Sequence, residues 1–454
     1  MKWHTPTYPS EIKMTTKHII NGFSKLSRNE KLAWLQKQNK ISHHTLETLD
    51  THIHADSGLQ DLYRELSENN VSNFYLPFGL SPNFLINGDL KTIPMVTEES
   101  SVVAAASHAA KFWAMFGGFK TEVVGVKKVG QVHFTWSGNK DELFHFFNQN
   151  RKSLLQSVHS ITGRMEERGG GIESLELKPA VDSLPQHYQL FFTFTTADAM
   201  GANFINSVLE EISGRLIVLI AETSLKGELE IIMSILSNYT PECLVRCSLE
   251  GEFGIFKDFD PLLTGRQFAQ KFKKAVDIAI HDPFRAVTHN KGIFNGMDAV
   301  IMATGNDFRA VEACGHAYAS KNGHYRSLSE VELSDNTFHF SLQVPLAVGT
   351  VGGLTGIHPM AKASLEILGN PTSEELMQVI ASAGLANNFS AVRSLITTGI
   401  QQGHMKMHMG NILRQLGATP EEREQANSHF RDQTVSHSNV VTFIEGLRGQ
   451  KQSL

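Results

Sequence analysis

Lys291 and Asn295 stand four residues apart within His289-Asn290-Lys291-Gly292-Ile293-Phe294-Asn295-Gly296-Met297-Asp298, a spacing that puts both on one face of a helix. An amine and an amide aimed into a common space can polarise a carbonyl group or neutralise an oxyanion. Ile293, Met297, Val300 and Ile301 fall on another, apolar face, which predicts burial. Beyond them comes Thr304-Gly305-Asn306-Asp307, which ends in a carboxylate. Spacing alone favours the plainer reading, a helix carrying one solvated lysine.

Other groups invite a chemical reading. Thr97-Glu98-Glu99 precedes an alanine-rich run, Val102 to Phe116. Thr97 is read as its cap, with both glutamates in the first turn, where carboxylates favour the helix dipole by ~0.3–1 kcal/mol each. Arg168-Gly169-Gly170-Gly171 precedes a strand, and Asp198-Ala199-Met200-Gly201-Ala202-Asn203 joins a strand to a helix. A glycine at a helix start lets backbone N–H groups approach a phosphate, although ordinary turn chemistry accounts for both runs equally well. Neither G-x-G-x-x-G nor G-x-x-x-x-G-K occurs, so no classical dinucleotide fold is expected. His404 and His408 could chelate a metal across one helical turn. The zincin pattern needs a glutamate after its first histidine, where Met405 stands, and no metal is expected.

These residues belong to a chain of ordinary globular composition. Its 454 residues are 41% hydrophobic and 19% charged, with a net charge of -5. Length suggests two or three domains, and the charge gives no reason to expect nucleic acid. No apolar run is long enough to span a membrane, and the polar start lacks the core of a signal peptide. Cys243, Cys247 and Cys314 form no C-x-x-C pair, which points to a cytoplasmic protein with reduced thiols.

The elements that must position these residues follow in order. Residues 1–17 read as a loose extension. A helix over Ser27–Lys37 opens with a Ser27/Glu30 capping box, and a second covers Ser42–Ser67. Asn87-Gly88-Asp89 predicts a hairpin turn. From there the periodicity changes. Strands at Gln131–Trp136, Glu173–Leu177, Tyr188–Thr195 and Cys243–Leu249 alternate with helices at Lys140–Ile161 and Gly201–Ile220. That order is β-α-β-β-α-β, a ferredoxin-like unit inserted at 125–245. Helices follow at Thr264–Ile280, Phe308–Ser320, Ser373–Gly384 and Ser390–Gln402, the last two joined near Asn387-Asn388. Val348 to Gly356 is glycine-dense, suited to close backbone approach. Thr419-Pro420-Glu421-Glu422 opens a late helix. The fold class is α+β: a large, mainly helical domain (18–124 and 246–400), the small insert, and a C-terminal helical flap (401–454).

Taken together the motifs resemble those of 3-hydroxy-3-methylglutaryl-coenzyme A reductase in its soluble bacterial, class II form. Thr97-Glu98-Glu99 with Val102 to Ser107, Asp198 to Asn203, Thr288-His289-Asn290-Lys291-Gly292, Thr304 to Asp307 and Gly403-His404-Met405 occur in that family's order. The resemblance covers about residues 60–415. It implies two hydride transfers from a nicotinamide cofactor to a thioester, giving mevalonate and coenzyme A. It implies a catalytic set of Glu99, Lys291, Asp307 and His404. Lys291 would stabilise the oxyanion and Glu99 would supply a proton, its pKa raised by burial and by a neighbouring Asp307. His404, carried by the flap, would protonate the leaving thiolate. It further implies Ser101, Arg285, Thr288, Asn295 and Asn388 around the hydroxymethylglutaryl group, and Asp198, Met200, Gly201 and Asn203 toward the cofactor. The large domain would bind substrate, the insert the nicotinamide cofactor, and sites between subunits would make a dimer the minimum assembly. Family members often have proline where Ser100 stands.

Ser174 aligns with an aspartate that NADH-using relatives carry after the glycine run. A neutral serine there favours NADPH, since a carboxylate repels the 2′-phosphate; a one-residue slip would put Glu173 in its place and favour NADH. Other readings are mevalonate breakdown in the oxidative direction, a coenzyme A thioester enzyme without redox chemistry, and a non-catalytic binding protein.

Overall fold

The structure, a computed structural model, describes residues 19–39, 41–179, 183–397, 409–430 and 435–451. It divides into two units, 1–76 and 77–454. The first holds helices α1 (Arg28–Asn39), α2 (His43–Thr51) and α3 (Ser57–Leu66). Ser27 and Glu30 form the expected capping box: Ser27 N donates to the glutamate and Glu30 N donates to Ser27 Oγ. The single helix expected over Ser42–Ser67 is two helices, because Asp56 accepts a bond from Leu59 N (2.9 Å) and starts a new one.

The second unit opens with the Asn87-Gly88 turn, both residues at positive φ (50° and 95°) as a two-residue hairpin requires. It joins β1 (Phe78–Ile86) to β2 (Asp89–Val96). Helix α4 (Val102–Ala114) and strand β3 (Lys120–Val123) follow. Next come β4 (Lys128–Trp136), α5 (Lys140–Ser157), α6 (His159–Glu166), β5 (Gly171–Pro179), β6 (His187–Thr195), α7 (Ala202–Ala221) and β7 (Leu229–Ser237). Their sheet runs β5-β6-β4-β7 and is antiparallel throughout, the order of a ferredoxin-like fold. Alternate residues Val132, Phe134 and Trp136 of β4 and Leu190, Phe192 and Phe194 of β6 bury against the helices.

Its fourth strand is Leu229–Ser237, not Cys243–Leu249. The latter lies in β8 (Leu244–Glu252), which pairs with β3. Four later helices are α8 (Gly265–His281), α9 (Pro283–Ala303), α10 (Phe308–Ala319) and, after two strands, α11 (Gly353–Ile357). The strands are β9 (Ser329–Ser334) and β10 (Thr337–Pro345), completing a sheet of order β3-β8-β10-β9. Cys243–Leu249 alternates but alternation carries no information about partners, and Leu229–Ser237, whose pattern is interrupted at Ile232 and Met233, gives no clean alternation to read.

Helices α12 (Pro359–Ile367) and α13 (Ser373–Ile396) follow. The two helices expected around Asn387-Asn388 are one, α13, buried along most of its length. The asparagines read as a break are satisfied inside the helix bundle: Asn387 Nδ2 donates to Ala383 O and Asn388 Oδ1 accepts from Ser329 Oγ. Helix α13 packs on α9 at glycine contacts. A Cβ on Gly296 would sit 2.3 Å from Ala383 O, and one on Gly384 would sit 2.6 Å from Met297 Cγ. As the apolar face predicted, Ile293, Met297, Val300 and Ile301 are all fully buried.

Two C-terminal helices, α14 (Pro420–His429) and α15 (His437–Lys451), share a separate apolar core with Met409, Ile412 and Leu413. Thr419 and Glu422 cap α14 as expected. Among the described residues no helix is long and apolar enough to cross a membrane, and the three cysteines are buried and unpaired.

Candidate active site

Asp282 starts α9 by accepting from Phe284 N (2.9 Å), with Pro283 at the first helical position. From that start the helical phase is set. Arg285, Thr288, Lys291 and Asn295 share one face and line a cavity of about 420 Å³. The start of α4 contributes Glu99 and Ser101, and α13 contributes Asn388. The substrate-side residues named from the sequence therefore meet in one place.

Glu99 arrives there because α4 begins later than expected. Thr97 does not cap it; Thr97 Oγ1 accepts instead from Glu99 N (3.1 Å). The cap position is Ser101, whose φ of 82° is costly for a residue with a side chain. Glu99 is thus outside the helix, and its Oε2 accepts from Lys291 Nζ at 2.5 Å. The two side chains are 39% and 58% exposed. An ion pair that open stabilises a fold by only ~0–1 kcal/mol, so the pair adds little to stability. Burial lowers the Arg285 guanidinium pKa below its ordinary value, and among the described residues no carboxylate pairs with it. A half-buried cation of this kind suits a bidentate carboxylate.

Asn290 leaves the cavity face and ties α9 to the chain before β9, while His289 lines the cavity and meets Ser329 of β9. Asn290 Nδ2 donates to Tyr325 Oη and Arg326 O, and its Oδ1 accepts from Leu328 N. Burial, then the Arg285 charge, push the His289 pKa down to about 3 against the opposing pull of Asn388. That imidazole is neutral at any working pH.

Asp307 lines a second cavity, of about 350 Å³, with Met200, Gly201, Asn203 and the glycine-dense segment. From Lys291 to the end of α9 the helix rises ~18 Å, and Asp307 lies beyond that end. The expectation that Asp307 neighbours Glu99 is therefore corrected within one chain. Asp307 instead caps α10, accepting from Arg309 N and Ala310 N, and pairs with Arg309 Nε at 3.1 Å. Burial works to raise its pKa, but the Arg309 bond and the backbone N–H groups outweigh it and hold the carboxyl below its ordinary value.

Gly201, at φ 91°, opens α7 and leaves the N–H groups of its first turn at this cavity, a setting that suits a phosphate. Gly349 is needed on the opposite wall, since a Cβ there would lie 2.4 Å from Met200 N. Three supports escaped sequence reasoning. Lys128, 5% exposed, donates to Thr196 Oγ1 and to Ala199 O (2.9 Å) beneath the turn. Asn306 closes a two-bond clasp on Gly349. Ser329 bonds His289 and Asn388. Nothing in the local sequence marks Lys128 or Ser329; only Asn306 had a signal, its place beside Asp307.

Two other residues named from the sequence stand apart. Asp198 lines neither cavity; its Oδ1 accepts from Ser373 N (2.7 Å) at the start of α13. Ser174 pairs with Thr193, hydroxyl to hydroxyl at 2.7 Å. A bulge between Ile172 and Ser174 breaks simple alternation, so Ser174 rather than Glu173 stands opposite Thr193. His404, with His408, lies outside the described residues.

A sequence model described as Hydroxymethylglutaryl-coenzyme A reductase matches residues 27–409. The chain belongs to the hydroxymethylglutaryl-coenzyme A reductase family. A 3-hydroxy-3-methylglutaryl-coenzyme A reductase of Archaeoglobus fulgidus is 35% identical over 96% of this chain and 97% of its own. A probable one from Borreliella burgdorferi is 31% identical over 87% and 89%. Among solved structures, the class II reductase of Streptococcus pneumoniae, described as bound to NADPH in open conformations, is 37% identical. It superposes with a TM-score of 0.69 over 83% of this chain and 99% of that one. The chain is an oxidoreductase that reduces hydroxymethylglutaryl-coenzyme A to mevalonate, and the non-redox thioester reading is not favoured.

Among the described residues Lys291 is the cation paired with Glu99 in the first cavity, which yields a direct expectation. Lys291→Ala should lower turnover ~10²-fold or more, as loss of an oxyanion partner does, with the fold intact by circular dichroism. Near-normal turnover would remove Lys291 from the chemistry.

Proposed function

We propose that each active site is completed by two copies of this chain, one supplying the Lys291–Glu99 cavity and the other the Asp307 cavity. The observation that carries this reading is the separation of the two cavities along α9. Closed two-fold pairing is the commonest way to bring such distant surfaces together. Arg285, Ser101, Thr288, Asn295 and Asn388 hold the hydroxymethylglutaryl group, and Arg285 grips its carboxylate. The pyrophosphate of the cofactor lies at the α7 N-terminus, against Met200, Gly201 and Asn203. Asp198 serves this site through the backbone, by holding the turn. Residues 125–245 form the cofactor domain, 77–124 and 246–400 the substrate domain, and 401–454 the flap. Three buried thiols fit a cytoplasmic setting, which cell fractionation tests.

Two cofactor molecules, bound in turn, would each supply one hydride. Lys291 neutralises the charge that gathers on the thioester oxygen as carbon accepts the first hydride. When the carbon–sulfur bond breaks, its electron pair goes to sulfur, and His404 protonates the thiolate. Lys291 then neutralises the aldehyde oxygen in the second reduction, and Glu99 delivers the proton that completes the alcohol. Asp307 joins the Lys291–Glu99 pair from the other subunit, and the three titrate together.

NADPH is the favoured cofactor. A 37% identical relative is described as bound to NADPH, and the β5 bulge keeps the Glu173 carboxylate from the place opposite Thr193. Oxidation of NADPH and NADH with hydroxymethylglutaryl-coenzyme A should give the higher kcat/KM for NADPH, and Ser174→Asp should shift preference toward NADH. A native preference for NADH overturns the assignment. His404→Gln should impair thioester reduction far more than reduction of free mevaldehyde, which carries no thiolate; equal losses would exclude the proton-donor role. Lys291→Ala and Asp307→Ala should each be inactive alone. Co-expressed, they should recover about a quarter of wild-type activity, because half the dimers are mixed and each mixed dimer holds one intact site. No recovery in verified mixed dimers rules out the shared site.

A further inference from the structure

Beside the first cavity, three buried polar side chains from three elements form a chain. His289 of α9, Ser329 of β9 and Asn388 of α13 are 1%, 0% and 1% exposed. His289 Nε2 and Ser329 Oγ are 2.7 Å apart, and Ser329 Oγ and Asn388 Oδ1 are 2.8 Å apart. With the Asn388 oxygen facing Ser329, hydrogen accounting sets the directions; the reversed set would put the imidazole hydrogen on Nδ1, which has no partner among the described residues. An amide oxygen only accepts, so the serine hydroxyl hydrogen goes to Asn388. With that hydrogen committed, Ser329 Oγ accepts from His289, whose Nε2 must carry a hydrogen. Ser327 offers no alternative donor, because its hydroxyl hydrogen goes to Ser329 O at 2.7 Å. The His289 ring is neutral, as its burial requires, and a hydrogen on Nε2 leaves Nδ1 without one, which matches its lack of a partner among the described residues.

We propose that Ser329 and His289 are positioning residues that lock the Asn388 amide with its oxygen held from behind and its NH₂ turned into the substrate cavity. Unheld, an asparagine amide can turn over and exchange a donor for an acceptor at small steric cost, since the two orientations have nearly the same shape. The consequence for recognition is a matter of sign. Arg285 and Lys291 on the same cavity already donate, and a locked Asn388 adds a third donor. A wall of donors selects a ligand that presents acceptors, as the carboxylate and thioester carbonyl of a hydroxymethylglutaryl thioester do. A flipped Asn388 would set an amide oxygen against those oxygens and lose one hydrogen bond while adding a repulsion.

This inference rests on the reading of Asn388 as a substrate contact, and the test separates the two. The measurements are KM for hydroxymethylglutaryl-coenzyme A, KM for NADPH, and kcat in the full-length enzyme. Ser329→Ala should raise KM for the thioester roughly tenfold, the size of one lost hydrogen bond to a charged group. KM for NADPH and kcat should stay within about twofold. Ser329→Thr, which keeps the hydroxyl, should recover the wild-type KM. His289→Gln, which keeps a donor, should behave as Ser329→Thr does. Asn388→Ala should raise the same KM, and the Ser329→Ala/Asn388→Ala double variant should be no worse than Asn388→Ala alone, because both act through one group. If Asn388→Ala raises KM and Ser329→Ala does not, or if the two effects add in full, the lock is overturned while Asn388 keeps its role. If Asn388→Ala leaves KM unchanged, the substrate contact itself is wrong and the lock falls with it.

Discussion

The close approach of α9 and α13 is the constraint on which the molecule depends. Gly296 leaves room for Ala383 O and Gly384 leaves room for Met297, so two long helices touch at backbone distance. That contact buries one face of α9 and so decides what the opposite face can do. With Ile293, Met297, Val300 and Ile301 fixed in the core, 3.6-residue periodicity leaves Arg285, Thr288, Lys291 and Asn295 no direction but the cavity. A side chain larger than hydrogen at either glycine would part the helices and rotate the cavity face with them.

The core and the cavity lie on different sides of the same helix. The apolar side makes the fold, while the Lys291–Glu99 pair is too exposed to add much to it. Glu99 is free to reach across because Ser101 holds a left-handed conformation and delays α4. Local backbone strain of this kind, ~1–3 kcal/mol, is tolerated where a site needs it. The carboxylate is therefore placed by the backbone, and the lysine by helical phase.

Much of this was legible in the chain. The phase of α9, the Asn87-Gly88 turn, the ferredoxin-like order and the capping boxes are local, and local rules found them. What failed was non-local. Cys243–Leu249 alternates as a strand should, yet pairs in another sheet, because alternation does not name a partner. Asn387-Asn388 looked like a break because asparagine is a poor helix former, but side-chain bonds from Ser329 and to Ala383 satisfy it. Thr97 looked like a cap and served the next loop residue but one instead. The resemblance gathered Glu99, Lys291 and Asp307 into one set, whereas the single chain keeps Asp307 apart; a list of residues carries no distances. Lys128 and Ser329 had no signal, since their partners are backbone or side chains far away in sequence.

The bulge in β5 means that the charge of that sheet face depends on chain length as well as on side-chain identity. Ile172 stands opposite Phe194 and Ser174 opposite Thr193, with Glu173 as the extra residue between them. Loss of Glu173 would straighten the strand and leave a hydroxyl facing Thr193. Loss of Ser174 would straighten it equally well and put a carboxylate there, with Leu175 onward undisturbed. Two neighbouring single-codon deletions would thus have the same effect on the fold and opposite effects on the electrostatics of the face. A lineage could change the sign of this surface by dropping one residue, without substituting any.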